Sequence, residues 1–134
     1  MTAKEELSQY KYARDKVEET LEEYEKYKTR AEKVTSIISD MPRGGQSSDK
    51  VADNASIMAD LSRQYEERWL QAEREKLKIE QQIDMINEPY RTILHKKYIE
   101  GKSLTEIAYE LGGDYTEWCR KHGTALKLYE EREL

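Results

Sequence analysis

Phenylalanine is absent from this 134-residue chain, which also has only one Cys, two His and two Pro. A single Cys cannot close an internal disulfide, and with two His it falls short of the four closely spaced ligands of a structural zinc site. The sequence therefore predicts a reduced, cytoplasmic protein with no metal or cofactor. No run approaches the ~20 apolar residues of a membrane span, and Met1 to Leu7, with Lys4, Glu5 and Glu6, holds no apolar core of signal-peptide length. The charge balance, 23 Lys plus Arg against 28 Asp plus Glu, gives −5 and excludes a general polyanion binder. Nucleic-acid contact would have to come from a local patch.

What is present is 38% charged and 37% hydrophobic, the aromatic part being ten Tyr and two Trp. That is lean for a thick globular core and suits long helices with narrow buried seams. Leu7, Tyr10, Arg14, Val17, Leu21, Tyr24, Lys28, Ala31, Thr35 and Ile38 recur in alternating steps of three and four, a heptad seam. No Gly or Pro interrupts Met1 to Asp40, so one helix is predicted from Lys4 to Ile38. Arg14 and Lys28 sit in this seam, where their stems can lie on apolar surface and their charges reach water.

Residues 40–49 include MPRGGQSSD and read as a loop, with Ser48 or Asp49 capping the helix that follows. A second seam runs through Val51, Ala55, Met58, Ser62, Tyr65, Trp69, Ala72, Lys76, Ile79, Ile83 and Ile86. Two seams joined by a short loop predict an antiparallel, coiled-coil-like hairpin over 1–86, on the order of 50 Å long at ~1.5 Å per residue. Ile57, Leu61, Leu70 and Leu77 widen the second seam beyond what one helix covers, which predicts a homodimer interface through the hairpins.

The register breaks at Glu88-Pro89, and Pro suits the first position of a helix because its missing amide would be unpaired there. A helix to Ile99 with a stop at Gly101 is followed by a Ser103/Glu106 capping box and a short helix from Leu104 to Leu111. Gly112-Gly113 supplies a tight turn, and Asp114 with Glu117 marks a second cap. This layout over 87–134 is that of a helix-turn-helix, whose last helix can enter a major groove.

The wording of this stretch resembles region 4 of sigma-70-type factors. The resemblance lies in Tyr98-Ile99-Glu100-Gly101, Ser103-Leu104-Thr105-Glu106-Ile107-Ala108 through Leu111-Gly112, and His122 followed by Ala125-Leu126. The whole chain resembles small phage-encoded, sigma-region-4-like regulators related to the RinA/ArpU-type late-gene activators. The resemblance implies a sequence-specific, double-stranded-DNA-binding transcription regulator of phage or prophage genes, acting with host RNA polymerase. Carried over by position, Trp118 would hold the recognition helix to the preceding one. Tyr115, Thr116, Cys119 and Arg120 would face base edges, Arg120 being able to donate two bonds to guanine. Lys97, Lys102, Lys121, His122, Thr124 and Lys127 would contact phosphates. Lys121 departs from the pattern, which has an apolar residue there.

An enzyme is not expected. His95 and His122 have no Ser/His/Asp or Cys/His motif around them, Cys119 reads as a small half-buried residue, and Gly44-Gly45 lacks the Lys-Ser/Thr of a phosphate loop. With 8 Lys plus Arg against 9 Asp plus Glu, residues 87–134 offer little counterion-release drive. The competing reading is a helix-turn-helix-derived adaptor or inhibitor that binds a host or phage protein without reading DNA.

Overall fold

Two long stretches free of Gly and Pro give two long helices. The computed structural model describes the backbone of residues 1–40 and 47–132, with side chains outside 34–52. Every described element is helical, and no described residue lies in a strand. In order these are α1 (Ala3–Leu7), α2 (Gln9–Asp40), α3 (Ser47–Ile83), α4 (Tyr90–Leu94) continued by a π-helical turn (His95–Ile99), α5 (Leu104–Leu111) and α6 (Tyr115–Glu131).

The first helix starts earlier than its seam predicts. Thr2 Oγ1 accepts from the Glu5 amide at 3.2 Å and the Glu5 carboxylate accepts from the Thr2 amide at 3.3 Å, a reciprocal cap. Ser8 separates α1 from α2, yet Ser8 N–H to Lys4 O (3.0 Å) and Tyr12 N–H to Ser8 O (3.2 Å) carry the ladder across it. Helix α2 then runs past Arg14 and Lys28 without a break. Helix α3 begins at Ser47, so Ser48 and Asp49 lie inside its first turn rather than at its cap. The rest of the expected loop, 41–46, lies outside the described residues.

Both seams need a correction of phase. Tyr10, Val17, Tyr24 and Ala31 face inward as expected, but the positions between them are Ala13, Thr20 and Tyr27, leaving Arg14, Leu21 and Lys28 exposed. In α3, Leu61 and Arg68 replace Ser62 and Trp69. A three-four alternation can be entered in either order, and the two orders share every second residue. The one adopted keeps two cations in water and buries Leu61 (7% exposed), while Trp69 is left 47% exposed. It also buries Thr20, whose hydroxyl donates to Lys16 O (2.9 Å) and accepts from the Arg68 guanidinium (2.6 Å). No buried side-chain polar atom among the described residues lacks a partner.

Packing groups the chain into two units, Arg14–Leu70 and Met1–Ala13 with Gln71–Leu134. In the first, the Thr20–Arg68 bond brings α2 and α3 side by side. Of its expected interface residues, Ile57 and Leu70 are exposed, but Leu61 is withdrawn into the seam and belongs to no exposed stripe. Leu77, in the second unit, is exposed.

The second unit does not follow the sequence division at Ile86. Arg132, only 7% exposed in its side chain, donates to Glu6 of α1 (2.8 Å) and to Gln82 of α3 (2.6 Å), and Tyr129 donates to the same Glu6 oxygen (3.2 Å). The N-terminal helix and the end of α3 are thereby fastened to α6.

The seam phase is testable by unfolding in urea. Leu61→Ala should cost about 2–5 kcal/mol, as expected for a buried Leu. Trp69→Ala should cost about 1 kcal/mol or less, the reverse of what the sequence seam predicts.

Candidate nucleic-acid interface

Pro89 stands at the N-cap of α4 rather than at its first helical position, which Tyr90 takes, and the side chain of Glu88 before it bonds into the first turn. The Glu88 carboxylate accepts from the Thr92 hydroxyl, from the Thr92 amide (3.4 Å) and from Arg91 Nε (2.9 Å). These bonds, the Thr92 hydroxyl foremost, hold the carboxyl below its ordinary range. The helix closes through a π-type bond from the Glu100 amide to His95 O (3.1 Å), and Lys102 N–H reaches back to Lys96 O (3.0 Å). Gly101 sits between at φ +75°, a conformation that disfavours a Cβ.

Four charged side chains brace this turn against α5. Glu110 accepts from Lys102 Nζ (2.6 Å) and Lys96 Nζ (3.0 Å), and Glu100 lies 3.4 Å from Lys102. The bonds from Lys102 and Lys96 hold the Glu110 carboxyl low, and Glu110 in turn raises Lys102. Ser103 caps α5 by accepting from the Glu106 amide (3.2 Å), which is one half of the expected capping box. At Asp114 the expected second cap is missing, since its side chain accepts no amide of α6.

The Gly112-Gly113 turn is fastened by Trp118. Its indole N–H donates to Gly112 O at 2.7 Å, and a Cβ on Gly113 would stand 3.2 Å from that nitrogen. The Trp118 ring packs with Ile93, Ile107 and Ala108, and Tyr90 and Leu104 border this core. Ala125 and Tyr129 continue the buried stripe of α6.

That stripe decides where the other residues of α6 point. At about 100° per residue, Thr116, Arg120, Gly123, Lys127 and Glu131 lie within about 40° of the direction opposite Trp118, Ala125 and Tyr129. All five are exposed. Of the expected base-facing residues, Thr116 and Arg120 are therefore on the outward stripe. Tyr115 and Cys119 lie to one side of it, Cys119 half-buried and raising the Tyr115 phenol through a hydrogen bond. Among the described residues, Arg120 has no carboxylate within ion-pair distance.

The expected phosphate contacts divide. Lys97 and Lys127 have no carboxylate partner among the described residues, and Thr124 is exposed with its hydroxyl bonded to Arg120 O (3.2 Å). Lys102 is held by Glu110 and Glu100. Lys121 pairs with Glu117 (3.3 Å) and lies 4.4 Å over the Trp118 ring, so its stem covers the face where an apolar residue was expected.

His122 is corrected outright, because its ring stacks on Tyr98 at 5.8 Å and its Nε2 is 2.8 Å from the Tyr98 hydroxyl. Burial, then the charges of Lys97 and Lys4, push His122 down to about 4, while burial pushes Tyr98 up to about 12. Both are neutral at pH 7, so this bond joins two uncharged groups and the imidazole offers no positive charge to a phosphate. Sequence reasoning missed Lys96, Glu110 and Tyr98, whose partners lie across a turn or on another helix, where local spacing carries no signal.

No helix among the described residues is long and apolar enough to cross a membrane. No family model, curated protein or solved structure matches this chain.

The His122 site predicts a pH dependence of stability. Between pH 6.5 and 4 the unfolded chain binds the proton that folded His122 refuses, so stability is complete above 6.5 and falls as pH drops through this window. The loss should be about 2 kcal/mol, less than the full shift implies because the ring keeps some contact with solvent. Thermal melts of His122→Gln should lack this slope between pH 6.5 and 4.

Proposed function

We propose that α4–α6 act as a helix-turn-helix that reads duplex DNA with α6, and that α2 and α3 form an antiparallel hairpin. On this reading the chain is a transcription regulator of phage or prophage genes working with host RNA polymerase, and exposed Ile57 and Leu70 serve self-association of the hairpin. The observation that carries the DNA reading is Arg120. It stands opposite the buried stripe of a helix fixed at both ends of its inner face, and its guanidinium has no carboxylate partner among the described residues. A planar fork so placed can donate in parallel to guanine O6 and N7. Thr116 and Lys127 share its stripe, and Gly123 between them leaves the helix backbone open to close approach.

A specific observation favours the adaptor reading as the alternative. Lys102 and Lys121 are engaged by carboxylates and His122 is neutral, which leaves Lys97, Arg120 and Lys127 as the candidate cations for a phosphate backbone. Three such contacts would give a salt slope of only about −2.7 per module.

Gel shifts with duplexes from the neighbouring promoter, run at low and moderate salt, test both readings. Arg120→Ala should cost about 1–3 kcal/mol of specific binding and relax preference at one base pair. Lys127→Ala should weaken specific and non-specific duplexes alike and reduce the salt slope by about one. Unchanged promoter binding in Arg120→Ala, with activity lost on substitution of the hairpin, would transfer the function to the adaptor reading.

A further inference from the structure

Helix α1 lies outside the helix-turn-helix, yet it brings a cation to one flank of α6. Ala3 and Leu7 are its buried positions, and at about 100° per residue Glu6 and Lys4 stand on opposite sides of them. Glu6 turns toward the end of α6, where it meets Tyr129 and Arg132. Lys4 is left on the side of His122, and its charge acts on that imidazole. Lys97 reaches the same place from the π-helical turn, its Nζ 5.7 Å from the centre of the Tyr98 ring that stacks on His122. Neither ammonium group has a carboxylate within ion-pair distance among the described residues. The acidic neighbours of Lys4 are taken, Glu5 by the Thr2 amide and Glu6 by Arg132.

His122 stands about 40° round α6 from the middle of the buried stripe, on the same side as Tyr115, Cys119 and Leu126. From Tyr115 to Leu126 this flank has no carboxylate, whereas the opposite one carries the Glu117–Lys121 pair. Two cations drawn from distant parts of the chain over one neutral ring, with no anion of the chain to balance them, leave that anion for a partner to supply. We infer, on the DNA reading of α6, that Lys4 and Lys97 hold backbone phosphates of the duplex along this flank, so that α1 belongs to the nucleic-acid surface. With the stripe of Arg120 and Lys127 in the major groove, the flanks of α6 face the phosphates that border the groove. One extended polyanion then meets all these cations, which a single acidic side chain of a protein partner does not. Lys4, Lys97, Arg120 and Lys127 together give a salt slope of about −3.6 in place of about −2.7.

The test uses the full chain and two labelled duplexes, one from the neighbouring promoter and one of scrambled sequence, with binding followed by anisotropy over a salt series. Lys4→Gln and Lys97→Gln should each weaken both duplexes by the same factor and reduce the slope by about one. Lys4→Arg should restore it. Lys4 is exposed, and its place beside His122 is checked in the free chain: Tyr98, Lys97 and Lys4 are the groups that face the imidazole, so Lys4→Gln should raise the midpoint of the His122 ring signals in a proton NMR titration. A midpoint that does not move, or a wild-type salt slope in Lys4→Gln while Arg120→Ala loses promoter binding, would overturn the inference and leave the DNA reading standing. No binding of either duplex by the wild-type chain at low salt would remove both. Lys4-dependent binding to phosphatidylserine vesicles without binding to duplex would give the patch to a membrane surface instead.

Discussion

The second packing unit depends on one buried guanidinium. The Arg132 side chain lies almost wholly out of water, where Glu6, Gln82 and the Tyr129 carbonyl accept its hydrogen bonds and the Tyr129 ring lies 3.8 Å beneath it. Those partners come from the first helix, the end of the second long helix and the last helix, separated by up to 126 residues of sequence. Removing the Glu6 charge would leave the buried Arg132 guanidinium without its anionic partner, so the site makes the two ends of the chain structurally interdependent. The same closure sets Lys4 near His122, where its charge adds to burial in keeping the imidazole neutral.

How much of this was legible in sequence varies with the range of the interaction. Helix existence, the glycine stop at Gly101, the Gly112-Gly113 turn and the inward Trp118 all follow from local backbone chemistry and periodicity, and each could be read from residues a few positions apart. Seam phase could not. A three-four and a four-three alternation differ by one residue at every second position, and the choice falls to cross-helix partners such as Thr20 and Arg68, 48 residues apart. Apolarity alone puts Trp69 inside, whereas the adopted phase gains Leu61 and satisfies a buried hydroxyl. The Thr2/Glu5 cap was legible, being a local motif of known spacing, but it lay outside the heptad pattern that set the predicted start of the helix.

Along residues 97–127 the sequence shows where the cations lie but not which of them are already engaged. Counting Lys, Arg and His along 97–127 treats each as available to a phosphate, yet cations near a turn are also the groups best placed to brace it. Lys102, with Lys96, spans from the π-helical turn to Glu110, and Lys121 lays its stem over Trp118. His122 finds Tyr98 instead of solvent, and desolvation removes the charge that the sequence count had left open. Helical geometry then separates the rest: the buried stripe at Trp118, Ala125 and Tyr129 fixes which side chains are opposite to it, and that selects Thr116 and Arg120 over Tyr115 and Cys119.

Charge is consequently sorted along α6 rather than spread over it. At its start Asp114 and Glu117 sit favourably against the positive end of the helix dipole. Beyond Cys119 the outward stripe carries Arg120 and Lys127 with small residues between them. A near-zero net charge over 87–134 hides this sorting, because two surfaces of opposite sign cancel in the sum. Screening at physiological ionic strength acts over about 8 Å, and ten residues, about 15 Å along the axis, separate Glu117 from Lys127, so the acidic start of α6 and Lys127 present distinct fields to a partner. A short helix with its inner face fixed by Trp118 and Tyr129 can thus offer an anionic contact at its beginning and a cationic one along its middle.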